Sequence, residues 1–573
     1  MPDTALEQSS SALPGTHTEH ASRHADSAHV GRRRTVVGVI LIAGLALFLR
    51  AGGVDRQGLW ADELFSLAIA TGHSLEHPAS KADLTLGDYV EAPHPLPVPH
   101  YQSYLQHEVP PAGPARVLRA VLLSDTNPPL YYLLLWGWTL AAGTGDAALR
   151  LFSVVWALAC FPFIWLLAKQ IGGRPAIFPA CLLFSLSPLS LYYSTEGRMY
   201  SLMWFLAVCL AWLTLKLNQH GPRLTLTVPW VLTGAAGLLT HYFYVFVLAA
   251  CWGWLLLHPG RFARRHLTAV TIGVGLLISP WYVKLPESLT NWRITDYWLY
   301  MPSGSRTHGA ITLPLDFVST SGVWGTHDSA EMVIVIVLAL LGIAASFKLA
   351  QRIFSERRRL IWLWLAAACA GPVLFDALRG TYTTLVPRYA LAGLPAALLI
   401  VAFALARLRP ALRVLCMGLI VVAWLPGIRD VLSSTSRSWE PSKQVAAALD
   451  HHAGDDVIII HSIPSGVLGV TRYLEKPADI FSWVGQLKQR RVPEDIQALA
   501  GHGRRIVLVK MHAVGEPAPQ ETWLRDHAEL TDRLVIESAE ILYFVPTPVV
   551  EGVPDGTSRV MSSRRKMPGL KSG

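Results

Sequence analysis

The chain has 573 residues, 52% of them hydrophobic and 16% charged, with a net charge of +9. Soluble domains carry about 25% charged residues, so the composition argues for a membrane protein long enough for more than one domain. The positive balance would suit nucleic acid. The basic residues, however, sit in short clusters between apolar runs, the footprint of cytoplasmic loops rather than of a basic groove, and no nucleic-acid partner is expected. The six cysteines (Cys160, Cys181, Cys209, Cys251, Cys369, Cys416) lie inside apolar runs without CxxC or zinc-ligand spacing, so they read as buried hydrophobes.

In chain order, residues 1–34 read as a polar, disordered cytoplasmic tail ending in Arg32–Arg34. Thr35–Leu49 follows as an uncleaved first span, since no clean small-x-small cleavage site appears. Further apolar runs cover 149–168, 175–193, 199–217, 225–240, 243–257, 267–285, 331–350, 361–379, 389–406 and 411–428. The run 129–142 is ambiguous, and charge decides it. The basic connections Lys169–Arg174, Lys216–Arg223, His258–His266, Lys348–Arg359 and Arg407–Arg413 all fall inside only if 129–142 does not cross. The expectation is therefore about 11 spans with 129–142 as a juxtamembrane helix, a cytoplasmic N-terminus, and residence in the inner (plasma) membrane.

That topology places a long first loop (50–148), the turns 194–198, 240–243 and 380–388, the loop 286–330 and everything after about residue 430 on the outer face. The segment 431–549 is expected as a small extracytoplasmic α/β domain. Val457–Ile460 and Ile506–Val509 read as buried strands, Leu534–Ser538 and Ile541–Val545 as a hairpin, and Ser442–Asp450 and Pro493–Leu499 as helices. Residues 550–573 are expected to be disordered.

The outer segments hold nearly all the unusual polar residues. In 59–67 (LWADELFSL), Trp60, Leu64 and Leu67 recur at helical spacing, so an interfacial helix is expected. Neighbouring residues on a helix point about 100° apart, so one of Asp62 and Glu63 faces a cavity while the other caps or pairs. In 125–132 (DTNPPLYY), two prolines end one helix and open the next; Asp125 and Asn127 are cap candidates. The turn Tyr192–Tyr200 carries Glu196 and Arg198, either a surface ion pair or, for the arginine, a phosphate-facing group. Arg150 and Arg388–Tyr389 each begin a span from the outer side, and His241 and Tyr242 sit in a short outer turn.

Taken together, LWADELFSL (59–67), DTNPPLYYLLL (125–135), ALRLFS (148–153), YSTEGRMYSL (193–202), THYFYVF (240–246) and PRYALAGLPA (387–396) resemble the GT-C class of integral-membrane glycosyltransferases. The branch resembled is that of the protein O-mannosyltransferases and lipid A aminoarabinose transferases. The resemblance spans about 35–430, expected as the transmembrane catalytic domain of a mainly α, GT-C-like bundle. Asn127 stands where the family has histidine, Gly197 where alanine is common, and a His- and Pro-rich insert lengthens the first loop at about 73–115.

The resemblance implies a polyprenyl-phosphate sugar donor, with Asp62 as the base that deprotonates an acceptor hydroxyl and Glu63 as its catalytic neighbour. The phosphate would meet Arg150, Arg198 and Arg388, with Asp125, Asn127, Glu196, His241, Tyr242 and Tyr389 toward the acceptor or supporting the site. Glu63 and Glu196 are candidates to orient the acceptor, hold an arginine or bind a divalent cation; no metal site or other cofactor is assigned. No glycine-rich nucleotide loop precedes a helix, which favours a donor arriving through the bilayer. The acceptor is a glycan, lipid or protein. A transporter or flippase is the alternative, but it predicts internal repeats and midplane charges, whereas these charges lie at span ends. A membrane scaffold or sensor would not need acids and arginines gathered on one face.

Overall fold

The computed structural model describes residues 16–77, 82–125, 127–258, 260–286, 299–300, 304–317, 356–451, 456–485, 490–500 and 503–546. The expected span 331–350 and the expected disordered tail 550–573 lie outside them. Helix α1 runs Thr16–Ala51 and thus begins inside the segment expected to be disordered. No proline interrupts that stretch, so a helix nucleated in its apolar half propagates backwards. The first loop holds α2 (Ala61–Ala70), strand β1 (Leu96–Pro97), α3 (Val98–Ser103), α4 (Pro114–Ser124) and α5 (Leu130–Ala142). Thirteen residues make α5 about 20 Å long at 1.5 Å per residue, short of the roughly 30 Å hydrocarbon layer.

The bundle continues through α6 (Asp146–Leu167), α7 (Ile177–Leu186), α8 (Pro188–Ser194), α9 (Tyr200–His220), α10 (Leu224–Leu238), α11 (Tyr244–Leu257), α12 (Arg264–Tyr282), α13 (Arg306–Asp316), α14 (Glu356–Arg379), α15 (Leu394–Leu405) and α16 (Pro410–Ser433). Among the described residues, four helical stretches are long and apolar enough to cross a membrane: Asp146–Gly172, Tyr200–His220, Arg357–Arg379 and Pro410–Ser433. The stretches Arg174–Leu186 and Pro188–Ser194, bent by 59° at their junction, pass the same test together and make a fifth where the pair is one broken span. The chain is therefore multi-pass, while Thr35–Ala51, Leu224–Leu238, Tyr244–Leu257 and Leu391–Leu405 are shorter apolar helices.

The α7–α8 break explains a charge buried in α1. Pro188 has no N–H to continue the helix, and the carbonyls of Phe184 and Ser185 lose their helical partners. Arg50 answers them from α1, at 3.1 Å to each, and its other N–H groups go to Ala46 O, Ser190 Oγ and Ser194 Oγ. A cation thus meets the negative end of a helix dipole rather than a carboxylate.

The tail carries α17 (Ser442–His451), β2 (Val457–His461), α18 (Pro464–Tyr473), β3 (Asp479–Trp483), α19 (Glu494–Ala500), β4 (Ile506–Met511), α20 (Pro519–His527), β5 (Ala528–Ile536) and β6 (Ala539–Pro546). They form a mixed sheet in the order β1-β3-β2-β4-β6-β5, parallel across β3-β2-β4. Its two faces alternate residue by residue, as the pleat requires. Val457, Ile459, Leu508 and Leu542 pack under α19 and α20. Ile458, Ile460, Val507 and Ile541 pack with Val445 and Leu468, in a core continuous with the helical bundle. The sequence reading missed β3, α18 and α20. It also drew the domain boundary at 431, whereas β1 comes from the 73–115 insert and pairs antiparallel with β3.

Candidate active site

Helix α2 is the pivot. Trp60 caps it, and its N–H is answered by Glu63 at 3.4 Å. Asp62 and Glu63 then diverge, as helical geometry demands. Glu63 is fully buried; Asp62 keeps 27% of its side chain exposed. Glu63 receives Arg150 through Nε at 2.8 Å and Nη2 at 2.6 Å, together with Gly197 N at 2.8 Å. Arg150 spends its remaining N–H groups on the carbonyls of Val54, Gln57 and Gly58 at 2.7 to 2.9 Å. All five of its N–H groups are therefore engaged and none is left for a phosphate, which corrects the phosphate-facing expectation for this residue. Glu63 is likewise walled in, so the expectation of direct catalysis gives way to a structural role. Burial alone would raise its carboxyl, but the Arg150 guanidinium outweighs it and the net shift is downward.

Asp62 faces two other arginines. Arg388 Nη1 lies 3.1 Å and Arg198 Nε 3.8 Å from the same carboxylate oxygen, Oδ2. Arg388 also sits over the rings of Trp60 and Tyr389, at 5.9 and 5.5 Å. Arg198 is aimed by Asp125: its Nη1 reaches Asp125 Oδ2 at 3.2 Å, Tyr132 Oη at 3.1 Å and Ser66 Oγ at 3.1 Å. Asp125 ends α4 and accepts the backbone and side-chain N–H of Asn127, both at 2.9 Å, as well as the Tyr132 hydroxyl. Burial pushes Asp125 up, but Arg198 and these donors hold it below the usual carboxylate range. Among the described residues Arg198 Nε makes no hydrogen bond, and it lies 3.8 Å from Asp62 Oδ2.

Glu196 is buried, and neither carboxylate oxygen has a hydrogen-bond partner among the described residues. Burial pushes it up to about 8, so it holds a proton at neutral pH beside the Asp62 and Glu63 charges. Gly197 next to it explains the departure from alanine: a Cβ there would lie 2.5 Å from Leu149 Cγ. His241 is buried, accepts Phe243 N–H at 3.2 Å, and is pushed down to about 3 by burial, so it is a neutral imidazole. Tyr242 turns to Trp281 and Tyr282, stitching the turn between α10 and α11 to α12. Tyr389 packs on Phe243 at 5.5 Å.

The structure thus brings Asp62, Asp125, Arg198 and Arg388 together, with Glu63, Arg150 and Asn127 as the frame behind them. Sequence reasoning missed Tyr132, Arg437 and Glu440. Arg437 sits 4.5 Å over the Tyr192 ring, bonds Gln57 and Thr195, and approaches Glu63 to 3.7 Å. Tyr132 lay within the DTNPPLYY element, whereas nothing in the linker after α16 marked Arg437 or Glu440.

Residues 126–283 match the family described as Dolichyl-phosphate-mannose-protein mannosyltransferase. No curated protein matches the chain in sequence. Among solved structures, ArnT from Cupriavidus metallidurans in the apo state superposes with a TM-score of 0.54 at 13% identity, over 88% of this chain and 97% of its own. The same protein bound to Undecaprenyl phosphate gives 0.53 at 13% identity, over the same shares. The Archaeoglobus fulgidus oligosaccharyltransferase gives 0.48 at 11%, over 83% of this chain and 69% of its own. By its matched segment and its fold, the chain is similar to the GT-C class of integral-membrane glycosyltransferases.

Proposed function

We propose that this protein moves a sugar from a polyprenyl-phosphate donor to an acceptor hydroxyl at the extracytoplasmic face of the inner membrane. The observation that carries this reading is the Asp62 carboxylate, partly open and held by Arg198 and Arg388 on a single oxygen. An anionic phosphodiester competes for those guanidinium groups through charge-assisted bonds. As they turn to the phosphate, Asp62 is released to accept the proton of the attacking hydroxyl. The arginines stabilise the charge that grows on the leaving lipid phosphate. Displacement in one step inverts the anomeric centre. The likeness to ArnT, solved with Undecaprenyl phosphate, supports a lipid-linked donor.

Arg150 and Glu63 act behind this pair by holding the chain from Val54 to Gly58 and the first turn of α2. Glu196, kept neutral, spares the site a fourth negative charge beside Asp62, Glu63 and Asp125. The basic clusters between apolar runs support a cytoplasmic N-terminus, an outer tail and about 11 crossings in all. Asp62→Asn in membranes, with a labelled polyprenyl-phosphate sugar, tests the base. A loss of about 10²- to 10⁴-fold is expected for a general base; wild-type transfer at equal expression removes Asp62 from the mechanism.

A further inference from the structure

Helix α2 has only ten residues, too few to hold its own geometry in isolation. Its first N–H groups lack partners within the helix, as at every helix start. Just before Asp62, the first helical N–H and one two residues ahead of it are met from the tail. Leu59 N–H donates to Tyr473 Oη at 2.8 Å, and Ala61 N–H donates to Glu440 Oε2 at 2.7 Å. Only the amide between them, that of Trp60, is answered from within α2, by Glu63. One step earlier, the Gln57 side chain donates to Ser434 O at 3.2 Å and accepts Arg437 Nε at 3.1 Å.

Each of the two tail acceptors is itself fixed. Tyr473 donates to Asp146 Oδ2 at 2.7 Å, while Arg472 takes Asp146 Oδ1 at 2.8 Å. Glu440 is buried and its other oxygen lies 3.3 Å from His512 Nε2, at the end of β4. On the far side of the first turn, Leu64 lies so close to Gly469 in α18 that a Cβ there would come within 3.1 Å of it. The tail therefore holds the backbone just before Asp62, through Tyr473 of α18 and Glu440, and packs α18 against the Leu64 side chain just after it.

We propose that Glu440 and Tyr473 are positioning residues through which the tail domain sets the aim of Asp62. This rests on Asp62 as the base, but the grip itself is measurable without that assumption. Amide hydrogen exchange of the full-length protein in micelles reads it directly, over peptides covering 57–64. Glu440→Ala and Tyr473→Phe should each speed exchange there by about tenfold, the equivalent of one lost hydrogen bond, while α9 peptides stay unchanged. Glu440→Gln keeps an oxygen for Ala61 N–H and should restore most of the protection.

Transfer from a labelled polyprenyl-phosphate sugar, in membranes supplying their own acceptor, is the second readout. The Ala and Phe variants should lose about 10- to 100-fold in kcat, the scale of an ångström-sized misplacement, with KM for the lipid donor unmoved. Unchanged exchange at 57–64 overturns the proposal. Faster exchange with wild-type kcat overturns it too, as does a loss carried by KM, which would make the tail a binding module instead. Asp62→Asn with wild-type transfer would fell the base assignment alone, leaving the exchange result to decide the grip.

Discussion

Breaking the Glu63–Arg150 pair should cost more than any other single change in the first loop. Glu63 accepts two charge-assisted bonds from Arg150, at 2.8 and 2.6 Å, and both groups are buried. Bonds to charged groups contribute about 1.5–3 kcal/mol each, so their sum agrees with the roughly 3–5 kcal/mol lost when one partner of a buried pair is removed. Glu63→Gln keeps one acceptor for Gly197 N–H and Arg150 Nε but turns an N–H₂ toward Arg150 Nη2. Arg150→Met leaves a buried carboxylate with only backbone donors and the more distant Arg437. Each single variant is therefore expected near the upper part of that range. The double variant Glu63→Leu/Arg150→Met should be milder than the sum by about 0.5–3 kcal/mol, because no unpaired charge remains. Unfolding by detergent titration in mixed micelles, run as a double-mutant cycle, measures this. Additive singles, or a Glu63→Gln protein as stable as wild type, would refute the buried-pair reasoning.

Glu196→Gln imitates the proton that burial keeps on this residue, so it should be close to neutral in stability below about pH 4.3 and increasingly stabilising relative to wild type from there toward pH 8. Because the folded pKa is raised to about 8 from a carboxylate's ordinary value, wild-type stability falls as pH rises from about 4.3 toward 8. The slope for that proton is at most about 1.4 kcal/mol per pH unit. The Gln variant should flatten it; an unchanged slope in a pH series of unfolding midpoints would count against a protonated Glu196. Gly197→Ala pushes a methyl into Leu149, and should destabilise by about 1–3 kcal/mol in the same unfolding assay; a neutral result would show that Leu149 yields freely. Arg388→Gln should weaken binding of undecaprenyl phosphate by about 10- to 100-fold, the loss of one charged bond, measured by calorimetric titration in micelles. Unaltered affinity would take Arg388 out of the phosphate site.

The membrane character, the tail helix Ser442–His451, the two buried strands and the terminal hairpin were all legible along the chain. Each rests on a local cause: apolar runs for spans, continuous Val and Ile for strands covered on both faces, alternation for the hairpin. The acids and arginines of the site were legible too, since each sits in a short polar interruption beside an apolar run. Their partners were not. Arg150 and Arg388 looked alike in sequence, both opening a span, yet one is spent on Glu63 and three carbonyls while the other reaches Asp62. That difference is made by where α2 lies against α6, a contact 87 residues apart. Likewise β1, two residues of a His- and Pro-rich insert, has no strand signal of its own and exists because β3 offers an unpaired edge. Local pattern determines which segments bury and which bend. Only the packed chain decides which charge faces which, because an ion pair is formed by distance in space and leaves no period in sequence.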